Sequence, residues 1–447
     1  MIELRDYQKE AIRSFNEAGI FEMATGTGKT FTALSLSKKY YEEDGRQFLI
    51  IIVPFIHLIE QWADQFELFD INSYIGIFDS RKKWVPRLKR EIILFNYGMK
   101  SRVVIIGSYK SIGSKECQEI LNTIGSKQFL IADECHYLGS PLFKTHQMTN
   151  FEYKLGLSAT PKRWWDEEGT ERIMSLFNDV SYEFAMERAI NEGFLTQYFY
   201  YPEVIKMTED EEESYQILTK RIGKLMAQKD SGSQEVKDSL DNLILRRSRI
   251  IKLAENKKER LKELLLKQTD YRFTLVYCGE GEIELVLGLI LSLGIRAQRF
   301  DSTISMKDRK NILGMFESGE IEILVAMKCL DEGVDIPATQ TAYFLASTTN
   351  PREFIQRRGR VLRKSPNKKD AIIYDFIVFP ELDDNELVRS VAEKEIPRFA
   401  EFSQYAVNEF SARNTILPYL KKYNLESFMD ILPWEMYEII KNRKVDF

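Results

Sequence analysis

The stretch Met23-Ala-Thr-Gly-Thr-Gly-Lys-Thr30 decides how the rest of the chain is read. It closes a short apolar run, Ile20 to Met23, and opens a helical pattern at Lys29-Thr-Phe-Thr-Ala-Leu. Gly26 and Gly28 let backbone N–H groups in such a turn point at phosphate oxygens, and the N-terminus of the following helix adds its positive end. Thr25, Gly26, Thr27 and Gly28 are therefore expected to line a phosphate cradle. Lys29 is expected to reach the β- and γ-phosphates, and the Thr30 hydroxyl to ligate Mg2+. One departure stands at the first position, where the general formula has Gly and this chain has Met23.

Outward from the loop, short β-branched runs alternate with helical stretches. FLIIIVP (48–54), RVVIIGS (102–108), QFLIADE (128–134) and KLGLSAT (154–160) read as buried strands. FIHLIEQWADQFELF (55–69) between them is apolar at helical spacing. Strands separated by helices predict a parallel sheet covered on both faces. The same alternation resumes at RFTLVYC (272–278), GIRAQRF (294–300), IEILVAM (321–327), TAYFLAS (341–347) and DAIIYDFIVF (370–379). The expected organisation is α/β. It comprises a first domain over 1–200, a helical insert or linker over 201–268 interrupted by SGS (231–233), a second domain over 269–380, and a helical extension over 381–447. Pro397, Pro418 and Pro433 are expected as helix breaks in that extension.

A phosphate loop needs a carboxylate at the end of a neighbouring strand to hold the metal, and a base to orient the attacking water. FLIADECH (129–136) offers Asp133 for the first task and Glu134 for the second. Together with GTGKT, the sequence Asp133-Glu-Cys-His136 resembles the DExH box of superfamily 2 helicases. More specifically it resembles the type I/III restriction-subunit and transcription-repair group.

The resemblance extends in order along most of the first 380 residues. LRDYQKEAI (4–12) is similar to the adenine-reading segment, implying Gln8 on the base with Tyr7 or Arg5 in support. VPFIHLIEQW (53–62) resembles the first nucleic-acid motif, SAT (158–160) the coupling motif, LDEGVDIP (330–337) the fifth and QRRGRVLR (356–363) the sixth. The family resemblance implies two RecA-like domains and hydrolysis of ATP with Mg2+. It implies Arg360 and Arg363 as the cations of phosphoryl transfer, Gln356 as a contact to the nucleotide or to motif partners, and Gly333 and Asp335 as the link from the fifth motif. Met327 stands where the family commonly has a phosphate-contacting Thr, whereas Ser108 keeps the hydroxyl of the equivalent earlier position.

Such cores bind one strand's phosphates over the tops of both sheets, largely without reading sequence. The candidates are Ser108, Gln61 and residues around Gly333, with Lys162 and Arg163 near the entrance. KRWWDEEG (162–169) sets two cations beside Trp164 and Trp165, which suits either base stacking or a packed surface turn. SRKKWVPRLKR (80–90) holds six cations, suiting a duplex grip or a solvated helix face. The wording of the fifth and sixth motifs favours DNA over RNA as the partner, and the family usually tracks 3′ to 5′.

Composition bounds the remaining possibilities. At 447 residues the chain has room for about three domains, and 44% apolar against 29% charged residues argues against disorder. The longest apolar stretch, Phe48 to Ile56, is too short to cross a bilayer. The N-terminus has no signal-peptide apolar region, and Cys117, Cys135, Cys278 and Cys329 are scattered, so a reducing cytoplasm is expected. Net charge is −5, but residues 381–447 carry nine basic and thirteen acidic side chains, which leaves the body near neutral and able to bind a polyanion. No nuclease or methyltransferase motif stands out, so a nuclease or other effector would be a partner. The acidic, aromatic tail would either dock that partner or pack on the second domain. An RNA-stimulated ATPase and a partner-recruiting scaffold with a vestigial ATPase are the competing readings.

Overall fold

The computed structural model describes residues 3–78, 80–143, 151–226, 234–327, 336, 338–346, 348–366, 368–381 and 384–445. The chain divides into two compact units, Met1–Leu195 and Thr196–Phe447. The first contains strands β1 (Ala18–Met23), β2 (Gln47–Val53), β3 (Ile75–Ile77), β4 (Arg102–Ser108), β5 (Gln128–Asp133), β6 (Tyr153–Ser158) and β7 (Val180–Phe184). They form one sheet in the order β3-β4-β2-β5-β6-β1-β7, with every pairing parallel. All seven residues of β2 are buried, as expected of an apolar run with no alternation in a sheet covered on both sides.

Helices α1 (Asp6–Ser14), α2 (Lys29–Asp44), α3 (Ile56–Ala63) and α4 (Arg81–Asn96) belong to this unit. The helix expected over 55–69 is α3 followed by a separate 3-10 turn, Phe66–Phe69. Because the strands are parallel, the loops after β1, β2, β4, β5 and β6 all emerge at one rim, where open α/β sheets bind ligands. The topology differs from expectation in one respect. β6 lies between β1 and β5, so the acidic box is not on the strand next to the phosphate loop. The short β3 and the polar β7 (VSYEF) escape sequence reading because both are sheet edges with weak apolar patterning.

The second unit contains β8 (Gln197–Lys206), β9 (Thr274–Tyr277), β10 (Ala297–Phe300), β11 (Ile323–Ala326), β12 (Thr341–Phe344) and β13 (Asp370–Phe379). Its parallel sheet runs β10-β11-β9-β12-β13-β8. β8 pairs with β13 in continuous register from Gln197↔Asp370 to Lys206↔Phe379. The expected boundary at 200 therefore falls inside a strand of the second sheet, and the insert expected from 201 begins only after it. Two helices, Glu209–Met226 and Gln234–Lys252, then lead into a third, Asn256–Lys267. The SGS turn at 231–233 lies outside the described residues. The chain thus builds two α/β domains with parallel sheets of RecA-like type.

Residues after 380 form helices Asn385–Ser403, Glu409–Lys422 and Pro433–Val445. Pro433 begins a helix, but Pro397 and Pro418 lie inside helices and break neither, contrary to expectation. The helix Asn385–Ser403 tolerates the hydrogen bond lost at Pro397 because it buries Val391, Ile396, Phe399 and Phe402. A buried polar cluster also fixes it to the sheet. Arg398 Nε lies 3.0 Å from Asp375 Oδ2 of β13, its Nη2 lies 2.9 Å from Glu395 Oε2, and Tyr200 of β8 donates to Asp375 at 2.9 Å.

Candidate nucleotide and nucleic-acid site

The phosphate-type loop joins β1 to α2. Gly26 and Gly28 have φ of 87° and 83°, a left-handed conformation that a side chain would strain. Space is also short at Gly28, where an added Cβ would stand 3.0 Å from Gln8 Nε2. Thr27 is fully buried, its hydroxyl donating to the Ala24 carbonyl at 2.7 Å, which closes its side chain to a ligand. Thr25 is also buried, and its hydroxyl has no hydrogen-bond partner among the described residues. Lys29 Nζ reaches back to the Met23 carbonyl at 3.2 Å, which lays the ammonium over the loop. Thr30 follows it in the first turn of α2, part-exposed.

Three residues of the N-terminal segment assemble on this loop. Tyr7 donates to the Thr27 carbonyl at 2.6 Å, and Arg5 Nη1 donates to the Tyr7 oxygen at 3.2 Å. The Gln8 side-chain oxygen accepts from the Arg5 backbone N–H at 3.0 Å, leaving its amide NH2 turned towards Gly28. Two aromatics that the sequence does not single out complete the pocket. Tyr7 stacks on Phe184 with centroids 4.0 Å apart, and Arg5 lies 4.8 Å from the centre of the Phe194 ring. Both come from the end of the unit, so only the fold brings them to residue 7.

At the end of β5 the two carboxylates diverge. Asp133 accepts from Trp62 Nε1 of α3 at 3.0 Å. Burial, reinforced by neighbouring Glu134, pushes the Asp133 carboxyl up to about 6, while Trp62 and Lys29 oppose the shift. A carboxylate so short of positive charge suits a cation, and the Thr30 hydroxyl is a compatible hard oxygen ligand for Mg2+. No cluster of three metal-ligating side chains exists among the described residues.

Glu134 sits at φ 50°, ψ 56°, a conformation that costs a non-glycine residue on the order of 1–2 kcal/mol. Tyr109 donates to the Asp133 carbonyl at 2.7 Å and approaches the Glu134 carbonyl at 3.3 Å, holding the turn. The strained backbone aims the Glu134 carboxylate at Ser158 Oγ and His136 Nδ1, each 3.4 Å away. Ser158 in turn accepts from the Thr160 backbone N–H at 3.1 Å, which ties the SAT turn to the acidic box.

The expected nucleic-acid contacts differ among themselves. Gln61 is exposed on α3, beside the buried Trp62, and Lys162 is exposed. Ser108 is buried and caps the following helix by accepting from the Ser111 N–H at 3.2 Å. Arg163 is not a free surface cation. It donates to the His136 carbonyl at 2.7 Å and pairs with Asp166 at 2.5 Å, bracing the loop after the acidic box. Trp165, at φ 56°, is 48% exposed.

In the second unit the helix Pro351–Val361 carries Gln356 and Arg360, and Arg363 follows its end. The basic run here is not a solvated face. Arg357 donates to the Ala346 carbonyl at 2.9 Å and lies 5.2 Å from the centre of the Tyr277 ring. Arg358 is buried and meets Glu401 of the helix Asn385–Ser403 at 2.6 Å. Two of the four arginines in this motif thus hold the helix, a division that composition does not show. Gly333 and Asp335 lie outside the described residues.

Comparison with known proteins agrees with this architecture. Residues 1–163 match the family described as type III restriction enzyme, res subunit, and residues 256–365 match the helicase conserved C-terminal domain. The chain is 26% identical over 403 residues to the DNA 3′-5′ translocase XPB2 of Sulfurisphaera tokodaii, covering 84% of this chain and 82% of that protein. Two solved structures share the fold. The ATP-dependent type ISP restriction-modification enzyme LlaBIII bound to DNA matches with a TM-score of 0.60 at 17% identity, over 96% of this chain but only 33% of its own length. The Hef helicase domain of Pyrococcus furiosus matches with a TM-score of 0.52 at 16% identity, over 87% of this chain and 98% of that one. With its phosphate loop, DECH box and arginine helix carried on two parallel-sheet domains, the chain belongs to the superfamily 2 helicases, in the restriction-subunit and XPB-like group of ATP-hydrolysing enzymes.

Proposed function

We propose that this protein is a DNA helicase or translocase that couples Mg-ATP hydrolysis to movement along DNA, in the 3′ to 5′ sense named for its archaeal relative. The observation that carries the reading is the convergence of the Tyr7–Thr27 contact, the Lys29 ammonium and the cation-poor Asp133 on one sheet rim. In this reading Gln8 reads the adenine edge, supported by Tyr7 and Arg5, while Thr25, Gly26, Thr27 and Gly28 direct backbone N–H groups at the phosphates. Thr30 and Asp133 hold Mg2+, which when bound neutralises charge on the phosphate oxygens. Glu134 orients the attacking water, and its link through Ser158 to Thr160 passes the change in charge to the SAT turn. Arg360 and Arg363 supply positive charge to the leaving phosphate oxygens, with Gln356, Gly333 and Asp335 in support. Gln61, Ser108 and Lys162 contact strand phosphates, with Arg163 bracing the loop beside them. The biological setting we propose is DNA repair or restriction-type defence, with any nuclease supplied by a partner.

ATPase assays across single-stranded DNA, duplex DNA and single-stranded RNA test the proposal. DNA is expected to stimulate turnover most. Stronger stimulation by RNA would overturn the DNA assignment, and background hydrolysis under every condition would overturn the motor reading. Lys29→Ala should reduce turnover to background, while Glu134→Gln should keep ATP affinity and stall. Losing Arg360 or Arg363 should slow hydrolysis on the order of 10³-fold.

A further inference from the structure

One helix of the first unit runs against the net charge of the rest of that unit. Residues 81–90 carry six lysines and arginines and no acid, whereas the rest of residues 1–195 carries 18 basic and 27 acidic side chains. These six, Arg81, Lys82, Lys83, Arg87, Lys89 and Arg90, are all exposed on α4. Trp84, Leu88, Ile92 and Phe95 form the opposite, buried stripe. The local arrangement is unfavourable three times over. Arg81, Lys82 and Lys83 occupy the first turn, where the helix dipole disfavours cations. Lys83 and Arg87 repel at i,i+4 spacing, as do Arg87 and Arg90 at i,i+3. Pro86 lies inside the helix. Arg81 is offset by Glu116 at 3.1 Å, but Lys82, Arg87, Lys89 and Arg90 have no ion pair among the described residues.

Position adds a second argument. α4 follows β3, and Ile77 at the end of β3 pairs with Gly107, one residue before Ser108. The basic first turn of α4 therefore starts from the same rim as the expected strand contacts, one strand outward and at the sheet edge. The two aromatics within α4, Trp84 and Phe95, are both buried, so the helix itself offers no ring for a base to stack on. A broad cationic face on a helix whose own rings are buried suits the backbone of a duplex rather than an unpaired strand.

We propose that the exposed face of α4 is a second nucleic-acid contact, gripping the phosphate backbone of duplex DNA beside the track over the sheet rim. The proposal rests on the DNA-motor reading above. At about 1.5 Å rise per residue, Arg81 to Arg90 spans roughly 14 Å. With one phosphate per 3.4 Å of axis on each strand, three or four phosphates come within reach.

The test compares the full chain with the variant Lys82→Gln/Arg87→Gln/Lys89→Gln/Arg90→Gln for binding to a blunt duplex and to a single strand of equal length, across a salt series. The slope of log affinity against log salt for the duplex should fall by about two to three, with at least roughly tenfold weaker binding at low salt. The double variant Arg87→Gln/Arg90→Gln should show about half that change in slope. Single-strand affinity and ATPase without DNA should stay unchanged, which also reports that the variants fold. Unchanged duplex affinity and slope, with DNA-stimulated ATPase intact, would overturn the α4 assignment alone. Equal loss for the single strand would overturn the duplex assignment. A wild-type chain that neither binds DNA nor responds to it would instead overturn the motor reading beneath it.

Discussion

The contact between Tyr7 and the phosphate loop gives the sharpest single test of how the nucleotide pocket is assembled. Tyr7→Phe removes one oxygen and nothing else, since the ring stacked 4.0 Å from Phe184 remains. The lost oxygen serves two partners: it donates to the Thr27 carbonyl at 2.6 Å and accepts from Arg5 Nη1 at 3.2 Å. The carbonyl is buried, so losing its donor costs about 1–2 kcal/mol, while Arg5 still faces the Phe194 ring at 4.8 Å and loses less. Because Thr27 sits in the loop itself, about 1 kcal/mol of this should appear as weaker nucleotide binding, near fivefold. Four of the five tryptophans, Trp62, Trp84, Trp164 and Trp165, belong to the first unit, so fluorescence during chemical denaturation reports mainly on it. Titration with a non-hydrolysable ATP analogue supplies the affinity. A Tyr7→Phe protein within about 0.5 kcal/mol of wild type, with unaltered affinity, would refute the claim that this hydrogen bond couples the N-terminal segment to the loop.

Two further perturbations follow from buried charge. Burial, with Glu183 nearby and only Lys162 opposing, pushes the Glu22 carboxyl on β1 up to about 7. A folded value above the unfolded one means the stability it contributes is fully present below about 4.5 and is lost as pH rises through about 7. Glu22→Gln should therefore stabilise the protein at pH 8 by on the order of 2 kcal/mol, with the gap closing towards pH 4; a pH-independent difference in denaturation midpoint would contradict this. In the second unit, Arg398→Ala leaves Asp375 and Glu395 buried without their shared cation. A loss of about 3–5 kcal/mol is expected in chemical denaturation, and a loss under about 1 kcal/mol would show that the cluster does not fasten the helix Asn385–Ser403.

Much of the site was legible before any fold was known, because its chemistry is local in sequence. Gly26, Gly28, Lys29 and Thr30 must be consecutive to form a phosphate turn at a helix N-terminus, and Asp133 and Glu134 must end a strand. The apolar runs that became β2, β4, β5 and β6 were equally plain, since a fully covered parallel strand tolerates no polar alternation. Edges were harder: β3 is three residues long, and β7 has three charged or hydroxyl-bearing residues among its five. The proline rule misjudged Pro397 and Pro418, where burial on the second sheet outweighs one missing hydrogen bond.

By itself, then, the amino-acid order determined the fold class, the phosphate loop and the identity of the acidic pair, all of which depend on neighbours a few residues away. Tertiary structure alone decided that β6 separates β1 from β5, that β8 belongs to the second sheet, and that Trp62 holds Asp133 across 71 positions of chain. It also decided which arginines of the QRRGR segment are anchors: Arg358 is taken up by Glu401, 43 residues later. Hydrogen bonds and burial act through space, and a pairing between distant segments leaves no periodic trace in either one.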